Sequence, residues 1–105
     1  ENSFIGSKSR AGYAASKSAL LGLCRALAVE LAPRVLVNTV VPGYIDTAML
    51  REFSQEPLQV KRKRILLQRF GKPEEVAALI AFLCSDDATY ITGQAIHVNG
   101  GLFFS

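Results

Sequence analysis

Tyr13 and Lys17 stand four apart in the run Tyr-Ala-Ala-Ser-Lys. On a helix, that spacing turns both side chains to one face. A tyrosine phenol has an ordinary pKa of roughly 10, too high for easy proton exchange at neutral pH. A lysine ammonium beside it favours the phenolate. Such a pair can act as a general acid or base on an oxygen that gains or loses a proton. The same spacing also occurs as a plain surface contact on helices. Alone, the pair allows a chemistry without naming a reaction.

Other residues invite the same weighing. Ser16 lies inside the run, and a serine in the first turns of a helix commonly bonds backbone. Gly43 follows Pro42 at the end of an apolar run, where glycine permits dihedrals and close contacts that a side chain forbids. His97 alternates with Ile96 and Val98 in a short strand-like stretch, and reads as a strand residue facing a polar side. It is the only histidine, and no Cys-x-x-Cys is present, so no metal site is expected. Cys24 and Cys84 each fall in an apolar helical pattern. Both read as small core residues in a reducing compartment.

The elements that must position these residues follow from periodicity. Residues 1–6 read as the end of a strand and residues 7–12 as a polar loop. A helix is expected from about Gly12 to Leu31, with Leu20, Cys24, Leu27 and Leu31 at helical spacing. Its remaining faces are small, which suits packing on several sides, and Pro33 stops it. Val35 to Val41 is nearly continuous and rich in β-branched residues, as in a strand buried on both faces of a parallel sheet. Residues 44–70 read as a lid or binding segment of short helices broken at Pro57. Pro73-Glu74-Glu75 opens a second helix, with Val76, Leu79, Ile80 and Leu83 as its stripe. Ser85-Asp86-Asp87 closes it. A strand, Ala95 to Val98, and a turn at Asn99-Gly100-Gly101 follow. The alternation predicts an α/β fold with a parallel sheet. Two full strands make a marginal sheet, so the long helix is expected to keep an uncovered apolar face.

Half of the 105 residues are hydrophobic and 20% are charged, the composition of one globular domain. The net charge of +3 owes much to the run Lys61-Arg62-Lys63-Arg64, which reads as a solvated helix face. Without those four, 8 basic residues face 9 acidic ones, so nucleic-acid binding is not expected. No apolar run reaches membrane-spanning length. The opening Glu1-Asn2-Ser3 is neither a methionine start nor a secretory leader, and suggests a fragment or a processed product.

Taken in order, several motifs resemble the short-chain dehydrogenase/reductase family. Its hallmark is Tyr-x-x-x-Lys on a long helix, matched by Tyr13 and Lys17. Val37-Asn38-Thr39-Val40-Val41-Pro42-Gly43 is similar to the family's Val-Asn-x-x-x-Pro-Gly, and Thr47 follows Gly43 by four. Arg69-Phe70-Gly71-Lys72-Pro73-Glu74-Glu75-Val76, Tyr90-Ile91-Thr92-Gly93-Gln94 and Asn99-Gly100-Gly101 complete the series. The likeness spans nearly the whole chain and is nearest to the 3-oxoacyl-carrier-protein reductase type.

That resemblance implies a fold, the C-terminal part of a doubly wound Rossmann-type parallel sheet in a single partial domain over residues 1–105. It implies hydride transfer between NADP or NAD, the first preferred, and a carbonyl or alcohol substrate. Tyr13 becomes the proton donor or acceptor. Lys17 holds the nicotinamide ribose and favours the Tyr13 phenolate. Pro42 and Gly43 shape the turn, and Ile45 and Thr47 touch the nicotinamide end. Ser3, in Ser-Phe-Ile-Gly, matches the family's substrate-binding serine, but only nine residues separate it from Tyr13, a few fewer than usual. A shortened loop or a plain turn serine both account for that spacing. The Gly-rich pyrophosphate turn of the dinucleotide fold is absent from the 105 residues. The resemblance further implies a homo-oligomer in the cytoplasm or an organelle matrix. The alternative is an inactive fragment or a subunit-interaction module.

Overall fold

The computed structural model describes residues 11–104. The expected strand end at residues 1–6, most of the loop after it and Ser3 lie outside them. Helix α1 spans Ala11–Leu31. It ends where Pro33 lacks an N–H, and the amides of Arg34 and Val35 both turn back to the Leu31 carbonyl (3.0 Å each). Strand β1 is Thr39–Pro42. Two short helices follow, α2 over Ala48–Phe53 and α3 over Leu58–Lys63. Then come α4 at Pro73–Leu83, a 3-10 turn at Asp86–Ala88 and β2 at Ala95–Val98.

Strands β1 and β2 pair in parallel, in the register Thr39 to Ala95 through Pro42 to Val98. Parallel neighbours need a long crossover, and α2 to α4 lie within it. Helices α1 and α4 both pack on β1. This is the expected α/β arrangement with a short parallel sheet.

The strand is shorter than the run of β-branched residues predicts. Val37 and Asn38 precede the strand and serve a different partner, the turn at 91–94. The Val37 amide donates to Thr92 Oγ1 (3.0 Å), and Gly93 N–H donates to the Val37 carbonyl (2.7 Å). The Asn38 side chain donates to the Ile91 carbonyl (2.8 Å) and accepts from the Gln94 amide (3.1 Å). Val35 and Leu36 lie before this tie and are exposed.

Burial on α1 falls short of packing on several sides and leaves the uncovered apolar face expected of a two-stranded sheet. On α1 only Cys24 and Ala28 are buried, while Leu20, Leu23 and Val29 face solvent. With two strands among the described residues, the sheet cannot cover a 21-residue helix on several sides. Cys84, read as a core residue, is exposed, because it caps α4 one step past the apolar stripe. The most buried large side chain is Ile65, just after α3. Three of the four residues of the basic run there are exposed, as a solvated face requires. Arg62 and Lys63 are exposed, but Lys61 sits 4.5 Å from the Tyr44 ring centroid and Arg64 grips Glu56 with two bonds of 2.9 and 2.6 Å.

Helix α4 begins as its sequence dictates. Pro73 fills the first turn, where no amide partner is needed. Glu75 reaches back to accept the Lys72 amide (2.8 Å), and Arg69 holds the same carboxylate with bonds of 2.9 and 2.6 Å. The Arg69 hydrogen bond, and next the Lys72 amide, draw the Glu75 pKa down from 4.5 to about 2. A depressed carboxyl stabilises the fold fully above its ordinary value, and that contribution fades as pH falls toward 2. Carbon NMR of the Glu75 carboxyl should show a midpoint near 2, and Arg69→Ala should raise it toward 4.5. An unmoved midpoint would rule out Arg69 as the cause.

Gly43 packs against the turn after β2. Its amide donates to the Val98 carbonyl (2.9 Å), and a Cβ there would stand 2.7 Å from Asn99 Cβ and 2.8 Å from Asn99 Cα. Gly22, inside α1, has nothing within 4 Å of such a Cβ. Gly43→Ala should therefore cost about 1–3 kcal/mol by overpacking. Gly22→Ala should add about 0.5–1 kcal/mol, because glycine weakens helix interiors. Urea unfolding of the two variants checks the opposite signs, and a shared sign would defeat this account of Gly43.

Candidate active site

Tyr13 and Lys17 occupy the first turns of α1, on an exposed stretch of the helix. The Lys17 ammonium stands 5.6 Å from the Tyr13 ring centroid, within the range of cation–π attraction. Tyr13 is 51% exposed, so its phenol is open to a ligand. Ser16 donates to the Tyr13 carbonyl (2.8 Å), the backbone role expected of it. It tightens the turn that carries the pair.

The second group sits past the end of β1. Pro42 closes the strand, and Gly43 turns the chain against Asn99. Ile45 then forms a parallel bridge with Gly71. Gly71 N–H donates to the Tyr44 carbonyl (3.0 Å), and Asp46 N–H donates to the Gly71 carbonyl (2.8 Å). In a parallel bridge made this way, the N–H and C=O of the central residue point to the opposite side. Ile45 therefore directs one donor and one acceptor away from Gly71.

Thr47 caps α2, and its hydroxyl oxygen accepts the Leu50 amide (3.2 Å). The hydroxyl proton stays available for a further acceptor. Asp46 pairs with Arg51 of α2. The structure thus gathers Pro42, Gly43, Ile45 and Thr47 into one loop, and Tyr13 with Lys17 on one helical turn. Ser3 lies outside the described residues.

A cavity of about 450 Å³ opens beside this loop, lined by Tyr44, Leu66, Leu67, Arg69, Glu75 and His97 among others. Sequence reasoning gave it no residues except through the lid, because its walls come from three separate stretches. His97 does not simply face a polar side. Its ring meets Phe103 edge-on at 4.7 Å, and burial lowers its pKa, which favours the neutral imidazole. Among the described residues, no group of three or more His, Cys, Asp or Glu side chains is arranged to hold a metal. No described helix is long and apolar enough to cross a membrane.

Comparison with known proteins meets this geometry. A family model described as enoyl-(acyl carrier protein) reductase matches residues 2–103. The 3-oxoacyl-[acyl-carrier-protein] reductase of Aquifex aeolicus is 52% identical over 101 residues, 95% of this chain and 41% of the relative. That of Thermotoga maritima is 46% identical over 92% of this chain and 40% of its own length. A crystal structure from Brucella melitensis, a short-chain dehydrogenase/reductase titled glucose/ribitol dehydrogenase, superposes with a TM-score of 0.92. It is 41% identical, covering 99% of this chain and 42% of that one. A short chain dehydrogenase family protein from Francisella tularensis gives a TM-score of 0.87 at 32% identity, over 97% of this chain and 48% of its own. The chain thus spans about two fifths of the length of the curated relatives it matches. On the match over residues 2–103, this chain belongs to the short-chain dehydrogenase/reductase family.

Proposed function

We propose that this chain carries the proton-transferring and nicotinamide-facing part of an oxidoreductase acting on a carbonyl or alcohol. NADP is the cofactor preferred over NAD, and a 3-oxoacyl thioester is the preferred substrate. The observation that carries the reading is the Tyr13–Lys17 pair, held 5.6 Å apart on an open helical turn of a chain from this family.

Topology supports bringing the two groups to one end. The Cys24 thiol donates to the Val37 carbonyl (3.5 Å). A helix that turns back into the strand it packs on runs antiparallel to that strand. From Cys24, the rise per helical residue carries the chain about 16 Å back to Tyr13. From Val37, the rise per strand residue carries it about 20 Å on to Gly43. Both journeys end near the carboxyl edge of the sheet, where open α/β folds bind ligands.

The donor set fits the nicotinamide end of the cofactor. A carboxamide needs one acceptor and one donor, which the outward N–H and C=O of Ile45 supply. Thr47 offers its hydroxyl proton, and Lys17 an ammonium for ribose hydroxyls. When bound, the nicotinamide supplies the hydride to the carbonyl carbon. Tyr13 gives its phenolic proton to the carbonyl oxygen, with the Lys17 ammonium beside its ring. Pro42 and Gly43 hold the loop close to the sheet. Ser3 is proposed to hydrogen-bond the substrate oxygen. The pyrophosphate end has no counterpart here, since the 105 residues contain no Gly-rich turn of that type. Met49 and Phe53 expose apolar surface on α2, which suits an acyl chain. A cytoplasmic homo-oligomer accords with the same reading.

One observation favours a second reading. Leu20, Leu23 and Val29 of α1 are all at least half exposed, which suits a subunit-interaction module. Fluorescence titration of the chain with NADPH and NADH separates the two. On the first reading, Lys17→Ala weakens binding, while Tyr13→Phe keeps binding and removes about 10²–10⁴ of any turnover, the usual contribution of a general acid. Binding indifferent to Lys17→Ala would sink it. Absence of cofactor binding, joined with docking to a homologous subunit, would establish the second.

A further inference from the structure

We propose that Arg69 and Glu75 are positioning residues that set the backbone of Ile45 through Gly71. The cofactor half of this inference rests on the reading that Ile45 faces the nicotinamide.

The chain from Arg69 to Glu75 closes on itself. Arg69 Nη1 and Nη2 each bond a Glu75 oxygen at 2.9 and 2.6 Å, and Nη1 also bonds the Phe70 carbonyl at 3.1 Å. The Glu75 carboxylate takes the Lys72 amide at 2.8 Å. Phe70, Gly71 and Lys72 are therefore spanned by one guanidinium–carboxylate clasp. Gly71, at its middle, is the residue that bridges Ile45. The fit is close, because a Cβ on Gly71 would lie 2.8 Å from Ile45 Cδ1.

A single exposed ion pair contributes little to stability. This one is bidentate and carries a backbone amide as third partner, which fixes geometry as well as charge. Its effect is local. The two bridge bonds, Gly71 N–H to Tyr44 and Asp46 N–H to Gly71, fix the orientation of the Ile45 peptide groups. If the clasp opens, the 70–72 turn loses its side-chain restraint, and the Ile45 donor and acceptor lose their fixed aim. A helix cap alone would need only the Lys72 amide bond. The guanidinium, anchored outside α4 on the Phe70 carbonyl, is what extends the restraint to Gly71.

Glu74 provides a control, since it stands beside Glu75 in the first turn of α4 and the bonds of the clasp all run to Glu75. Glu75→Gln keeps an oxygen for the Lys72 amide and loses the charge that Arg69 grips. Amide hydrogen exchange read by NMR, without cofactor, should show Asp46 N–H exchanging about tenfold faster in Glu75→Gln and in Arg69→Ala, the scale of one charge-assisted hydrogen bond. Glu74→Gln should leave it unchanged. NADPH affinity by fluorescence titration should fall by a similar factor in the first two variants only. Unchanged exchange at Asp46 in a folded Glu75→Gln variant would overturn the proposal. Faster exchange with undiminished NADPH affinity would overturn its cofactor half and leave the proposed function standing. A wild-type chain that ignores NADPH but keeps the exchange pattern would defeat the functional reading and retain the clasp.

Discussion

The parallel pairing of β1 with β2 fixes where β1 must end, and most of the candidate site is built outward from that end. Thr39 to Pro42 lies against Ala95 to Val98, and the ladder hands over to Gly43 through the Val98 carbonyl. Bringing together strands so distant in sequence carries a closure cost, against which the ladder acts. Side chains supply the rest of the alignment. Asn38 uses both its donor and its acceptor on the 91–94 turn, and Thr92 takes the Val37 amide. Those bonds lock the register one step before the strands begin, and register decides which residue emerges at the far end.

From Gly43 onward the chain is positioned by backbone contacts. The close approach to Asn99 leaves no room for a side chain, and the Ile45–Gly71 bridge adds a separate parallel contact just past β1. The loop 43–47 is thus held from two sides, by the turn after β2 and by the turn before α4. A loop tied in this way can present backbone donors and acceptors at fixed directions, which preorganises binding.

The element order, the parallel sheet and the limits of α4 were legible because their signals are local: helical periodicity, a β-branched run, and Pro73 with two acids at a helix start. The Tyr13–Lys17 face was legible for the same reason, as i and i+4 on a helix. What escaped was set by partners far along the chain. The strand began at Thr39 rather than Val35 because Val37 and Asn38 bind a turn more than fifty residues away. Cys84 looked apolar in pattern but fell at a cap, where the stripe had ended. Lys61 and Arg64 looked like solvated charge, yet each found a partner, the Tyr44 ring and Glu56. The Arg69–Glu75 clasp was visible only as two residues of a motif, since neither periodicity nor composition reports a side chain folding back over its own turn.

Placing the proposed proton donor on a helix and the proposed backbone donors on a loop has a physical consequence. Tyr13 and Lys17 share one rigid turn, so their separation depends only on α1. Ile45 and Thr47 depend on the sheet and on the residues near α4. The two groups keep alignment only as well as α1 stays seated on β1, and the Cys24–Val37 contact with the buried Ala28 is the seat that the described residues provide. That seat lies toward the far end of α1 from Tyr13, so the first turns of the helix project beyond the seat that the described residues provide. Exposed Leu20 and Leu23 lie between the seat and the Tyr13–Lys17 turn. Surface that covers them would steady the same helix turn that carries Tyr13 and Lys17, so apolar burial along α1 and precision at the candidate site are one physical requirement.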